Sequence, residues 1–347
     1  MIRPLRAAAL LLLLAAAPAG AQTLYVSDEE ASVVHVIDAA TLKVAGRLDV
    51  GKRPRGLALS KDGRTLYVAA SDSNDIAVVD RATGKVVARL PSGPDPETFA
   101  LSPDERRLYV ANEDDNLLTI VDVPARKAVG EVQVGGEPEG TAVSPDGKLV
   151  VQASESGSAA HVIDAASGKV IDNLVVGARP RFVAFAPDGK SFWVSSEAHG
   201  TLAVFDTATR TRLGTIEFAS AKLLAPTAEM FVQPVAIAFT RDGRRAFVAL
   251  GRAKLVAEVD PATLRIVRTF PVGWRAWNIA LSPDEKRLYT ANGLSGDVTA
   301  VDLVANRPLG SVKVGGKPWG IVAAHRRPSH WRPYSCRLPA EQPSRAF

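Results

Sequence analysis

Short runs in which apolar and polar residues alternate recur along the chain, and each ends on an aspartate: Asp38, Asp80, Asp122, Asp164, Asp206, Asp260 and Asp302. The intervals are 42 residues except for one of 54, which therefore carries twelve extra residues. Thirteen positions before each aspartate stands Tyr25, Tyr67, Tyr109, Val151, Trp193, Phe247 or Tyr289, in segments such as Leu108-Tyr-Val-Ala-Asn112. Alternation at period two with aromatic and β-branched residues predicts short strands. Between repeats run stretches such as Pro138-Glu-Gly-Thr-Ala-Val-Ser-Pro-Asp-Gly147. Their Pro-Asp-Gly closes a tight turn, since glycine accepts a positive φ.

Each unit holds four strand signals: the stretch after the recurring proline, the tyrosine stretch, the run ending in aspartate, and a stretch such as Val86-Val-Ala-Arg-Leu90. Four antiparallel strands at a period near 42 predict an all-β, seven-bladed β-propeller. No 3.6-residue period supports a helical solenoid, and no strand-helix alternation supports a parallel sheet. The chain enters the pattern at a second strand, Thr23 to Val26, and leaves it on a first strand, Pro318 to Ala324. Seven complete blades result only if that last strand joins the first three, pairing two otherwise open edges.

Composition adds compartment and organisation. Residues 1–21 have Arg3 and Arg6 ahead of an apolar run and Ala19-Gly20-Ala21 before Gln22, the pattern of a cleavable secretory leader. A periplasmic protein without a membrane anchor is expected, with the propeller at 22–324, an insertion at about 218–233, and a basic, disordered tail or altered reading frame at 325–347. The formal charge of +5 sits in the leader and the tail; the body is close to neutral, which excludes a polyanion-binding face and nucleic acid as a partner. A single cysteine, Cys336, excludes an internal disulfide and a Cys-x-x-Cys-His haem attachment.

The Leu-Tyr-Val-Ala-Asn, alternating-run-Asp, Thr-Gly-Lys and Ser-Pro-Asp-Gly elements resemble YVTN-family β-propeller repeats over nearly all of Thr23 to Ala324. Seven such repeats behind a leader, with one lengthened loop late in the ring, resemble the PQQ-dependent catabolism-associated β-propeller proteins. That resemblance implies a setting beside quinoprotein alcohol oxidation or transport, without naming a reaction. The longer tryptophan-bearing repeats of PQQ dehydrogenases are missing, so no bound quinone is expected.

The seven aspartates suit hairpin turns, where a carboxylate accepts backbone N–H groups, better than metal ligation. The five histidines share no metal-ligand spacing, and no nucleophile elbow, phosphate loop or dinucleotide fingerprint stands in a supporting context; neither metal nor cofactor is expected. Variety enters one residue after the recurring proline, at Arg55, Glu97, Glu139, Arg181, Val235, Trp277 and Trp319, which the fold places at the channel mouth. Two and three positions on, the repeat stays uniform, as at Leu57-Ala58 and Ile279-Ala280. With Trp274 and Arg275 these residues offer charged hydrogen bonds and aromatic walls to a small molecule or peptide. Leu223, Leu224, Met230 and Phe231 of the insertion are expected to cover the mouth or dock a partner, and the acidic loops at 28–30, 72–75 and 113–115 to rim it. The function expected first is a monomeric, non-catalytic periplasmic scaffold or binding protein holding a protein partner or small ligand. The alternative is a lactonase-type hydrolase using Arg55, Glu97, Glu139 or Arg181; a cell-surface module is disfavoured by the missing anchor.

Overall fold

The computed structural model describes residues 22–218 and 232–325, and it forms a ring of seven four-stranded antiparallel sheets. Blade 1 comprises Pro54–Leu59, Thr65–Ala70, Asp75–Asp80 and Lys85–Pro91, from the channel outward. Blades 2, 3 and 4 repeat it from Pro96–Leu101, Pro138–Val143 and Pro180–Phe185, and blades 5 and 6 from Ile237–Phe239 and Ala276–Leu281. The one helical element among the described residues is a 3-10 turn, Ser71–Ser73. No described helix is long and apolar enough to cross a membrane. The leader, the tail beyond 325 and the expected lid residues Leu223, Leu224, Met230 and Phe231 lie outside the described residues.

Blade 7 closes the ring as the strand count requires. Its innermost strand, Pro318–His325, pairs with Gln22–Asp28, followed outward by Val33–Asp38 and Lys43–Leu48. The register sets Thr23 opposite Ala324 and Val26 opposite Ile321. At the channel end Asp28 is fully buried; its Oδ1 accepts the N–H groups of Ala31 and, at 2.9 Å, Lys317, while Oδ2 lies 3.0 Å from His35 Nε2. One carboxylate thus ties the first strand of the ring to the loop before its last.

Seven apolar clusters, one between each pair of neighbouring blades, hold the ring together. The aromatic position of the second strand is the anchor: Trp193, Phe247 and Tyr289 are almost wholly buried between sheets. Burying such side chains contributes about 2–3 kcal/mol each. Each aspartate that ends a third strand accepts N–H groups of the following turn, as Asp80 does from Thr83 at 2.7 Å and Asp206 from Thr209 at 2.7 Å.

Every outer strand carries a β-bulge at the same repeat position. In blade 1 Val78 pairs with Ala88 and Val79 with Val86, so Val87 is left over. Equivalent shifts leave Ala45, Val129, Ile171, Leu213, Val267 and Leu309 unpaired. Breaking the ladder there blunts seven exposed edges against pairing with other chains. At the opposite, inner edge the blades converge. A β-carbon on Gly56 would stand 2.8 Å from the Glu97 carbonyl oxygen, and one on Gly140 2.7 Å from that of Arg181. That convergence is what brings the residues at the strand entrances into contact.

Candidate functional site at the channel mouth

Three sets of residues, each repeating at 42 with the one 54-residue step, build the mouth. The first is Arg55, Glu97, Glu139, Arg181, Val235, Trp277 and Trp319 at the start of the innermost strands. The second lies two residues earlier: Arg53, Asp95, Glu137, Arg179, Gln233, Arg275 and Lys317. In five of these, φ is left-handed, from 48° at Arg53 to 63° at Arg275. Four of the five precede a proline, which disfavours compact conformations, so the geometry costs about 1 kcal/mol or more at each. The third set follows the tyrosine strands: Glu29, Ser71, Glu113, Glu155, Glu197, Gly251 and Gly293. In six blades its N–H donates to the carbonyl of the second set, as from Glu197 to Arg179 at 2.7 Å and from Glu113 to Asp95 at 2.9 Å. That bond fixes the third set beside the first.

The sequence reading named Glu29 and Glu113 of this third set only within acidic loops and did not single out the rest, although the same period marks it. The acidic loops at 28–30, 72–75 and 113–115 were expected to rim the face and favour cations or basic partners. Within them Asp28 is buried and Glu29 lies 3.1 Å from Arg55 Nε; Glu197, outside those loops, is buried as well.

Much of the mouth is a lattice of ion pairs, centred on blades 7 and 1 to 4 and joined by Gln233 and Arg275 at the entrances to blades 5 and 6. Arg55 bonds Glu97 and Glu29, and Arg53 lies 2.8 Å from Asp95 and 3.5 Å from Glu97. Arg181 bonds Glu139, sits 2.5 Å from Glu155, and brings Nε to 2.9 Å from Glu197. Arg275 donates to Glu197 at 2.6 Å and to Gln233 Oε1 at 2.5 Å; Gln233 Nε2 donates to the same Glu197 oxygen at 2.9 Å. Asp95, Glu97 and Glu113 bring carboxylate oxygens within 4.8 Å of one another, but Arg53 and Arg55 already face Asp95 and Glu97.

The remaining side is aromatic. The rings of Trp277 and Trp319 stack with centroids 6.3 Å apart. Guanidinium carbons lie over Trp277 from Arg275 at 3.8 Å and Arg181 at 5.0 Å, and over Trp319 from Arg55 at 5.6 Å. Cations are drawn to the negative ring faces, so the protein's own arginines join the two halves. The Trp319 indole N–H is buried and has no hydrogen-bond partner. Trp274 stands apart: its ring is 45% exposed and lies against Lys254. Val235 is buried.

Enclosure changes the acids. Burial pushes the Glu139 carboxyl up to about 7, against the pull of Arg181 and Arg55 and with help from Glu155 and Glu113. Burial likewise drives Glu97 well above the carboxylate range, despite Arg55, with Glu139 and Glu113 adding to the rise. Glu197 goes the other way: burial would raise it, but Arg181 and Arg275 outweigh that and lower it. A carboxyl poised near neutrality between guanidiniums suits proton transfer.

In comparisons with known proteins, residues 68–167 match the family of the cytochrome D1 heme domain, and residues 169–313 match that of the seven-bladed β-propeller lactonases. No curated protein matches the sequence. Many solved structures share the fold, three of which follow. Hydrazine synthase of Kuenenia stuttgartiensis is 24% identical with a TM-score of 0.70, over 81% of this chain and 92% of that one. A functionally unknown protein from Desulfotomaculum acetoxidans is 16% identical with a TM-score of 0.74, over 88% and 99%. The periplasmic gluconolactonase PpgL of Pseudomonas aeruginosa is 21% identical with a TM-score of 0.73, over 88% and 100%. The residues do not fit a heme: the one histidine of 68–167, His161, has Nε2 accepting from Gly135 and Nδ1 against Asn173.

Proposed function

We propose that the channel mouth hydrolyses a small polar lactone, with Glu139 as the proton-transferring carboxyl and Arg181 and Arg275 as the positive groups facing the carbonyl oxygen. The observation that carries this reading is Glu139 itself, buried between Arg181 and Arg55 and raised to about 7, a value matched to taking a proton at neutral pH. Water gives its proton to Glu139 as its oxygen bonds to the carbonyl carbon. The tetrahedral oxyanion is balanced by the guanidiniums. Cleavage of the ring C–O bond returns the proton to the departing alkoxide, leaving one hydroxy acid per lactone and water consumed. Trp277 and Trp319 supply an apolar floor for the ring. The likeness of residues 169–313 to the lactonase family supports the same reading. The test is acid release from a panel of five- and six-membered lactones, gluconolactone included. Turnover above the spontaneous rate that falls about 100-fold or more in Glu139→Gln is expected; no turnover, or an unaffected variant, refutes it.

A second reading is a non-catalytic, exported monomer that holds a periplasmic partner for quinoprotein alcohol oxidation or transport. It is favoured by the exposed Trp274 and by guanidiniums already engaged with carboxylates. Capture of a periplasmic partner that is lost in Trp274→Ala is its expected result.

A further inference from the structure

We infer that Glu197 is a positioning residue of the channel mouth: its one carboxylate holds Arg181 and Arg275 beside Trp277 and so limits how strongly Arg181 grips Glu139. This rests on the proposed site but not on its turnover. Glu197 belongs to the third set, one position beyond the second strand of blade 4, and its side chain is 1% exposed.

The geometry is that of a divider. Oε1 accepts both Arg275, at 2.6 Å, and Gln233 Nε2, at 2.9 Å. Oε2 stands 2.9 Å from Arg181 Nε, an ion pair that lacks hydrogen-bond alignment. Arg181 spends its NH1 on Glu139 and Glu155, so three carboxylates compete for one guanidinium. The neighbouring blades leave space for this arrangement. At the Glu197-equivalent positions blades 5 and 6 carry Gly251 and Gly293, and a β-carbon on Gly251 would stand 3.2 Å from Arg275 NH1. Glutamates there would add two more claims on the same cations. The sequence instead removes side chains on the two blades where Arg275 and Trp277 must lie.

Neutralising Glu197 has a definite sign. Arg181 then shares its charge with two carboxylates, and Arg275 keeps an uncompensated charge nearby; both favour the ionised form of Glu139. Glu139 should therefore lose its proton at lower pH. A residue needed only for folding would change stability without that directed shift.

The experiment is a carboxyl-carbon NMR titration of protein labelled at glutamate Cδ, with the Glu139 resonance assigned by its loss in Glu139→Gln. In the wild type its midpoint is expected near 7. In Glu197→Gln it should fall by about one pH unit, and Glu197→Asp should recover part of the shift. A midpoint that is unmoved or raised in Glu197→Gln overturns the inference. Where Glu197→Gln does not fold, Gln233→Leu and Arg275→Met decide: loosening either contact to Glu197 frees that carboxylate for Arg181, so Glu139 must titrate higher, and a lower or unchanged midpoint refutes the role. Absence of lactone turnover at every pH would refute the hydrolase reading alone, because the titration needs no substrate.

Discussion

A β-carbon on Gly293 would stand 2.5 Å from the indole nitrogen of Trp277. Blades 2, 3 and 4 place a glutamate at the Gly293-equivalent position, so the missing side chain in blade 6 is what lets the Trp277 ring lie against the mouth. Gly293 has no left-handed φ, and alanine there strains no backbone. Gly293→Ala is expected to displace Trp277, changing tryptophan emission and abolishing site activity or ligand binding while the melting temperature falls only by a few degrees. Unchanged emission and activity would show that Trp277 is not held by this contact.

Ring closure should be the weak seam. Deleting 318–324 removes the innermost strand of blade 7 and should lower the melting temperature sharply; an unchanged melt contradicts the closure. Asp28→Ala strips His35 and the Lys317 N–H of their acceptor and should cost about 3 kcal/mol in denaturant unfolding.

The same carboxylate fixes a pH dependence. Burial would raise Asp28, but the His35 bond and the N–H groups of Ala31 and Lys317 outweigh it and hold the group below 3.8. Its stabilisation is therefore complete above the unfolded value and is lost as pH falls below 3.8 through the depressed folded value. Asp28→Asn should flatten the acid limb of the stability curve relative to wild type.

Glu139 has the opposite sign. Its folded value, about 7, lies above the ordinary 4.5, so the folded protein keeps a proton that the unfolded chain gives up. Stability should fall as pH rises from 4.5 to 7, by an amount on the order of a few kcal/mol. Glu139→Gln, which cannot ionise, should gain stability relative to wild type at pH 8 and little at pH 4; equal effects at both would deny that the carboxyl is strained.

The turn aspartates are bound to backbone and hydroxyl groups, as Asp80 is to Thr83 and Asp260 to Ala262 and Thr263. A chelator is expected to leave the melting temperature unchanged, and Asp80→Ala to lower it by a few degrees. A melt that drops on chelation would assign these carboxylates to a metal instead.

The ring was legible in the sequence because its causes are local and repeated: an alternating strand, a turn aspartate and an aromatic anchor every 42 residues. Even closure followed from which strand comes first and which last. The mouth was legible only in part. Arg55, Glu97, Glu139, Arg181, Trp277 and Trp319 stood out because variety interrupts a uniform pattern, and Arg275 was caught through its neighbours. Glu113 was read only as part of an acidic rim loop, and Glu155 and Glu197 were not singled out, since nothing in a strand's own sequence says that seven loops converge. The burial of Glu155 and Glu197 comes from the inner strands meeting at Gly56 and Gly140, which is a property of the assembled ring. Trp274, grouped with the site by proximity in sequence, is half-exposed and lies against Lys254.

The most direct test is lactone hydrolysis by the wild type and Glu139→Gln, followed by acid release across pH 5–9. The account predicts turnover rising with pH through a midpoint near 7 in the wild type, and a loss of about 100-fold or more in a variant that stays folded. Hydrolysis that is absent, or that Glu139→Gln leaves intact with the same pH profile, would contradict it.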